Sequence, residues 1–325
     1  MSLDTRLTKF FGIQHPVVLA PMAMISGGRL AAAVTSAGGL GLIGGGYGDA
    51  AWLRREFDRA DGATVGCGFI TWSLAGEPAL LDAALERRPA AIMLSFGELQ
   101  PFAERIRAAG VPLIAQAQTL DHARLALDAG ADVVVAQGGE AGGHGMSARS
   151  TFTLVPDVVD LAADRSPGTP VLAAGGVTDG RGLAAALALG ADGALVGTRF
   201  WATPEALVSP RAHERALTAS GDDTVRTRAY DLVRRLDWPA EYNARALGNA
   251  FLDTWHGNQD GLAASLQEAV ADYEKAVAAE DFDTAAILVG EGVGLLRQVR
   301  PAADIVADMV DHAARILNRP ASVQR

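Results

Sequence analysis

Eight short aliphatic runs punctuate the chain at intervals of roughly 20 to 30 residues: HPVVLAPM (15–22), GLGLIGGG (39–46), TVGCGFI (64–70), AAIMLSFG (90–97), VPLIAQAQ (111–118), ADVVVAQGG (131–139), TPVLAAGGV (169–177) and DGALVGTRF (192–200). Apolar residues follow one another in each run with little polar alternation, the pattern of a parallel strand covered on both faces. The segments between them, such as GGRLAAAVTSAG and LDHARLALDAG, have helical composition. Several end in Ala-Gly, where glycine takes the left-handed conformation that closes a helix. Thr119 and Asp121, and Thr178 and Asp179, offer N-cap side chains. Strand and helix therefore alternate eight times.

Crossover rules leave two architectures, an open doubly wound sheet or a closed barrel. Eight units match the barrel, and nearly every run ends in glycine, polar or charged residues on the side where barrel enzymes build their sites. The prediction is an α/β fold, a (β/α)8 TIM barrel with a helical insertion after strand eight. Residues 203–284 read as helix throughout, without β-like runs, and are expected to lie over the barrel mouth. The barrel would then span 1–202 and 285–325, with 302–317 as its last helix and Ile305, Met309, His312 and Ile316 on one face.

Composition narrows the function. The 49% of hydrophobic residues supplies a large core, while a net charge of -10 without a Lys/Arg-rich run argues against a nucleic-acid partner. The single cysteine, Cys67, cannot form an intramolecular disulfide, which suits a reducing compartment, and in VGCGFI it is expected to pack. The N-terminal segment lacks the apolar core of a signal peptide, and no apolar run approaches the roughly 20 residues that span a bilayer. A soluble, cytoplasmic protein with no membrane partner is expected. No pair of histidines has metal-ligand spacing, so no metal site is predicted. GxSxG is absent, which leaves a serine hydrolase unsupported.

Two late runs end in AAGGV (173–177) and VGTRF (196–200), and GEGVG follows at 290–294. Barrels often hold phosphate on the loops after strands seven and eight, where glycine lets amide N–H groups approach the anion. A tight turn explains any one of these motifs; three in this order favour an anion site, with Arg181 or Arg199 as possible aids. The sixth run pours into AQGGEAGGHGMS (136–147), which places His144 at the barrel mouth. An imidazole there can act as a general base because its pKa lies near neutrality. Glu140 would orient the ring or hold the loop, and the glycines, Gly142 and Gly143 among them, leave room for a flat ligand. A histidine that merely caps a turn is the structural alternative. Of the other five, His15, His122 and His312 fall outside the mouth, His213 sits in the insertion, and His256 is placed to line the mouth.

HPVVLAPMA (15–23), LAAAVTSAGGLGLIGGG (30–46), VVVAQGGEAGGH (133–144), the 171–200 stretch ending in GTRF, and GEGVGLL (290–296) together resemble the nitronate monooxygenase family, formerly 2-nitropropane dioxygenases. The resemblance implies an FMN-dependent TIM barrel. Pro21, Met22 and Ala23 would run along the isoalloxazine, with Gly68 beside it. Gln116 and Gln137 would face the flavin or its ribityl chain. Gly175, Gly176, Gly197 and Thr198 would hold the phosphate, with Gly292 of the 290–294 loop close by, and Gly142 and Gly143 would hug the planar ring. His144 would be the catalytic base. The implied partners are a small-molecule substrate and O2, and a homodimer is compatible with the Ala-rich C-terminal helices. Three positions depart from the family pattern: Gly68 where asparagine is common, Gly145-Met146 after the histidine, and Glu291 where glutamine is common. The implied activity is oxidation of alkyl nitronates or nitroalkanes to a carbonyl compound and nitrite. Alternatives are an NAD(P)H-dependent enoyl-acyl-carrier-protein reductase of the same family, a specialised biosynthetic flavin oxygenase, and a non-catalytic flavin-binding barrel.

Overall fold

The computed structural model describes residues 3–147 and 149–318. The outermost residues of the expected barrel segments, 1–2 and 319–325, lie outside them. All eight aliphatic runs are strands: β1 (Val17–Leu19), β2 (Leu42–Gly44), β3 (Gly66–Ile70), β4 (Ile92–Ser95), β5 (Leu113–Ala117), β6 (Val133–Gln137), β8 (Val171–Ala174) and β9 (Gly193–Val196). They pair in parallel in the order β1-β9-β8-β6-β5-β4-β3-β2. The ring closes where Leu19 N donates to Leu40 O at 2.9 Å and Leu40 N to Val17 O at 3.0 Å, just ahead of β2.

Closure gives the strands two apolar faces, which is why their sequences lack polar alternation. Val18, Leu42, Met93, Ile114, Val133, Val135 and Leu172 fill the barrel interior. Their neighbours Val17, Leu19, Ile43, Cys67, Ile92 and Val134 point outward under the helices. The helix Arg6–Phe11 plugs the bottom with Leu7, and Arg6 fixes it there by hydrogen bonds of 2.8 Å to both carboxylate oxygens of Asp192. Caps fall where the sequence offered them. Thr119 accepts from His122 N, Asp179 from Arg181 N and Gly182 N, and left-handed Gly110, Gly130 and Gly190 follow helix ends. Helix Ala302–Leu317 buries Ile305, Val306, Met309 and Val310 against the Gly180–Ala188 helix, completing the outer ring. Among the described residues no helix is long and apolar enough to cross a membrane.

The expectation that residues 203–284 are helix throughout needs correction. Two strands lie among those helices, β10 (Thr224–Thr227) and β11 (Asn243–Leu247), and they form an antiparallel sheet with β7 (Gly143–Gly145). In its register Ala244 lies opposite His144 and Arg245 opposite Gly143. The extra strands are short, and Arg226, Asn243 and Arg245 break their apolar content, so no aliphatic run marks them. Backbone pairing of β11 with Gly143–Gly145, and of β10 with β11, holds them in place.

Candidate active site

One open-mouthed cavity occupies the C-terminal end of the barrel. Pro21, Met22 and Ala23 line it after β1, Gln116 and Gln137 at the C-terminal ends of β5 and β6, Gly142 to His144 beyond β6, Gly175 and Gly176 after β8, and Gly197 and Thr198 after β9. Gly290 and Gly292 reach it from the later loop. Gly68 does not line it. A side chain there would collide with the ring of Pro21, so Gly68 is the floor on which Pro21 rests. His256 also lies outside the lining.

The segment carrying His144 is tightly held despite its glycines. Arg226 donates to the carbonyls of Gly139, Ala141 and Gly145, and Arg245 donates again to Gly139. Burial, and then the neighbouring Arg245, bring the Arg226 guanidinium down to a pKa of about 10, so it still carries its proton at neutral pH. Glycine is required for this fit: a Cβ on Gly142 would run into the backbone of Val289 and Gly290, and Gly143 has φ of +66°. Glu140 does not orient His144. Its carboxylate accepts from Thr151 N and Oγ1, stabilising the start of helix Thr151–Arg165. Behind the strand, Gln116 and Gln118 both donate to Gln137 Oε1, and Gln137 Nε2 donates to His144 O at 3.3 Å.

His144 itself is 7% exposed. Its Nε2 lies 2.8 Å from Asp231 Oδ1, and its ring stacks on Trp238 at 3.5 Å with 5° between planes. A carboxylate can only accept, so Nε2 carries the hydrogen and Nδ1 presents the lone pair. Among the described residues nothing hydrogen-bonds to Nδ1. Burial lowers the imidazole pKa. Asp231 opposes that shift by hydrogen bond and charge, while Arg234 and Arg226 reinforce it. The ring is therefore neutral at pH 7, a positioned base with a carboxylate behind it.

Across the cavity, the backbone is arranged for an anion. Gly175 and Gly176 take φ of +98° and +74°. The amides of Gly176, Val177 and Gly197 have no hydrogen-bond partner among the described residues. Gly290 N donates to Thr198 Oγ1 at 2.9 Å, and a Cβ on Gly292 would strike Thr178, so the later loop packs directly on these strand ends. Neither arginine considered for this anion reaches it. Arg181 pairs with Asp179, and Arg199 turns away to donate to Gln298 O. Glu291 is paired with Arg245 at 2.9 Å, which offsets its charge.

Asp231, Trp238, Arg234, Tyr47 and Phe96 were not legible as site residues, yet all but Asp231 line the cavity. Their signal was weak. Trp238-Pro239 interrupts what otherwise reads as helix, and Asp231 and Arg234 lie one helical turn apart just before it. Among the described residues no group of three or more His, Cys, Asp or Glu is placed to hold a metal ion.

A family model described as nitronate monooxygenase matches residues 4–72 and 73–312. The chain is 35% identical to nitronate monooxygenase npaC of Metarhizium robertsii, over 93% of this chain and 91% of that one. It is 34% identical to a nitronate monooxygenase of Pseudomonas aeruginosa, over 95% and 99% respectively. Among solved structures it is similar to FabK from Thermotoga maritima, with TM-score 0.83, 31% identity and coverage of 97% and 98%. It is also similar to a nitroalkane oxidase from Streptomyces ansochromogenes, with TM-score 0.74, 31% identity and coverage of 96% and 98%.

Proposed function

Because the chain belongs to the nitronate monooxygenase family, we propose that it is an FMN-dependent oxidoreductase that oxidises alkyl nitronates and nitroalkanes with O2 to a carbonyl compound and nitrite. The observation that carries this reading is one cavity lined both by His144, with Asp231 behind it, and by amides unpartnered among the described residues. The residues present fit FMN. The free amides of Gly176, Val177 and Gly197 suit a phosphate that backbone dipoles bind without a cationic side chain. Pro21, Met22 and Ala23 would flank the planar ring system, and the Gln116 and Gln137 amides would meet its polar atoms.

When bound, the flavin would supply the redox chemistry that connects the nitronate to O2. The protein supplies the proton transfer and the positioning. With a neutral nitroalkane, His144 Nδ1 takes the α-proton, and Asp231 stabilises the imidazolium through Nε2–H. A preformed nitronate needs no such step. Tyr47, Phe96 and Trp238 give the cavity apolar walls that keep water from the reacting carbon.

The test is an absorption spectrum of the purified protein followed by oxygen uptake on adding an alkyl nitronate. FMN bands with rapid uptake support the proposal; FMN without uptake rejects the reaction and keeps the cofactor. The family resemblance carries a second reading, an NAD(P)H-dependent enoyl-acyl-carrier-protein reductase. Anaerobic mixing with NADPH separates the two, since rapid bleaching of the flavin indicates the reductase.

A further inference from the structure

Proton transfer and cofactor binding leave a group of donors beside His144 unused. Among the described residues, Nη1 of Arg234 is buried without a hydrogen-bond partner, and so are the indole Nε1 atoms of Trp238 and Trp72. These side chains form one cluster. The Tyr47 ring lies 5.8 Å from the Arg234 guanidinium carbon, 6.4 Å from the Trp238 ring and 6.3 Å from the Trp72 ring. The Tyr47 hydroxyl lies close enough to interact with Trp238 and Arg234 but satisfies neither Trp238 Nε1 nor Arg234 Nη1 with hydrogen-bond geometry, and burial keeps it protonated. Arg234, Trp238 and Tyr47 line the same cavity as His144.

Arg234 has no carboxylate within ion-pair distance among the described residues. Asp231, one turn earlier, gives its bonded oxygen to His144. A buried donor without an acceptor is unfavourable, and a guanidinium more so because its charge is also poorly solvated. Such groups persist where a ligand completes them. A fork of N–H groups flanked by an indole N–H and a phenol matches a planar group with two oxygens and a negative charge.

We propose that Arg234, Trp238 and Tyr47 form the anion receptor of the substrate site, with Arg234 as its specificity-determining residue. The receptor takes a two-oxygen anion, supplied either by the reacting nitronate group or by a carboxylate elsewhere on the same molecule. The aromatic rings of Tyr47, Phe96 and Trp238 take the apolar part of the ligand. The identity of the reacting molecule rests on the function proposed above, but the receptor itself does not.

The flavin-loaded protein is titrated with benzoate and with the isosteric neutral benzamide, read by quenching of the tryptophan fluorescence to which Trp72 and Trp238 contribute. Wild type should bind benzoate more tightly than benzamide. Arg234→Met should weaken benzoate by about 10- to 100-fold, the usual worth of a charge-assisted hydrogen bond, and leave benzamide unchanged. Arg234→Lys, which keeps the charge and loses the fork, should fall between them. Equal binding of the two probes by wild type, or benzoate binding that survives in Arg234→Met, overturns the proposal. This arm needs no turnover, so absent nitronate oxidation would reject the function without deciding the receptor. Where turnover occurs, KM is compared between wild type and Arg234→Met for propionate 3-nitronate and for the nitronate of 1-nitrobutane. An equal rise on both assigns the anion to the nitronate group; a rise confined to the first assigns it to the carboxylate. No rise on either counts against the receptor.

Discussion

Asp231 Oδ1 sits 2.8 Å from Nε2 of His144, although 87 residues separate the two in sequence. The contact fixes which ring nitrogen is the base. Replacing Asp231 with Asn offers Nε2 an amide donor, which would move the ring hydrogen to Nδ1 and turn the lone pair away from substrate. Turnover of a neutral nitroalkane should then fall by about 10²–10⁴-fold, the usual range for general-base help, while a preformed nitronate loses much less. A merely structural role for Asp231 predicts the same loss on both substrates, and steady-state kinetics on the pair decides.

The pH profile gives an independent reading of the same contact. Burial holds His144 below its ordinary value of 6.5, and Asp231 acts against that shift. The acid limb of kcat/KM for a neutral nitroalkane should therefore lie below pH 6.5 in wild type and move lower still in Asp231→Asn. Because the folded ring binds its proton more weakly than the unfolded chain does, its contribution to stability is present above about pH 6.5. It is lost as the pH falls toward the folded value. A limb that stays put in the variant would show that Asp231 does not tune His144.

His144→Ala removes the base altogether. We expect a loss of about 10²–10⁴-fold toward the neutral nitroalkane and a smaller one toward its nitronate. Equal loss on both, or none on either, would sink the assignment.

The barrel was legible because its physics is local. Strands buried on both faces read as aliphatic runs, and the glycines that end them, such as Gly175 and Gly176, are needed where φ is positive. The position of His144 at the barrel mouth was legible for the same reason, since it follows such a run. Its surroundings were not. Asp231 and Trp238 reach it because β11 pairs with β7 and β10 with β11, and Arg226 on β10 clamps the loop. Such pairing depends on backbone hydrogen bonds between distant segments, which leave little trace in hydrophobic pattern. Gly68, which its motif placed beside a ligand, lies outside the cavity lining, where its missing side chain makes room for Pro21.

Gly142→Ala tests the close approach that seats His144. The new methyl would meet the backbone of Val289 and Gly290, neither of which can rotate away. The variant should separate the 142–145 segment from the 289–292 loop, lowering both Tm and the ratio of flavin to protein absorbance after purification. Unchanged flavin content and Tm would mean that the two segments are not in contact in solution.

Arg226 holds the carbonyls of Gly139, Ala141 and Gly145 at 3.0–3.3 Å and lies next to the equally committed Arg245. Arg226→Met keeps much of the side-chain volume and removes every donor. Each carbonyl left dry costs about 1–3 kcal/mol, although Gly139 retains its bond from Arg245. The variant should therefore lose stability and loosen the strand that carries His144. Two measurements distinguish a local from a global effect: Tm by differential scanning calorimetry, and hydrogen exchange at the amides of Gly143 to Gly145. Faster exchange there, at a temperature where the barrel amides remain protected, is the expected result. Protection unchanged along that strand would show that pairing with β11 suffices without the arginine.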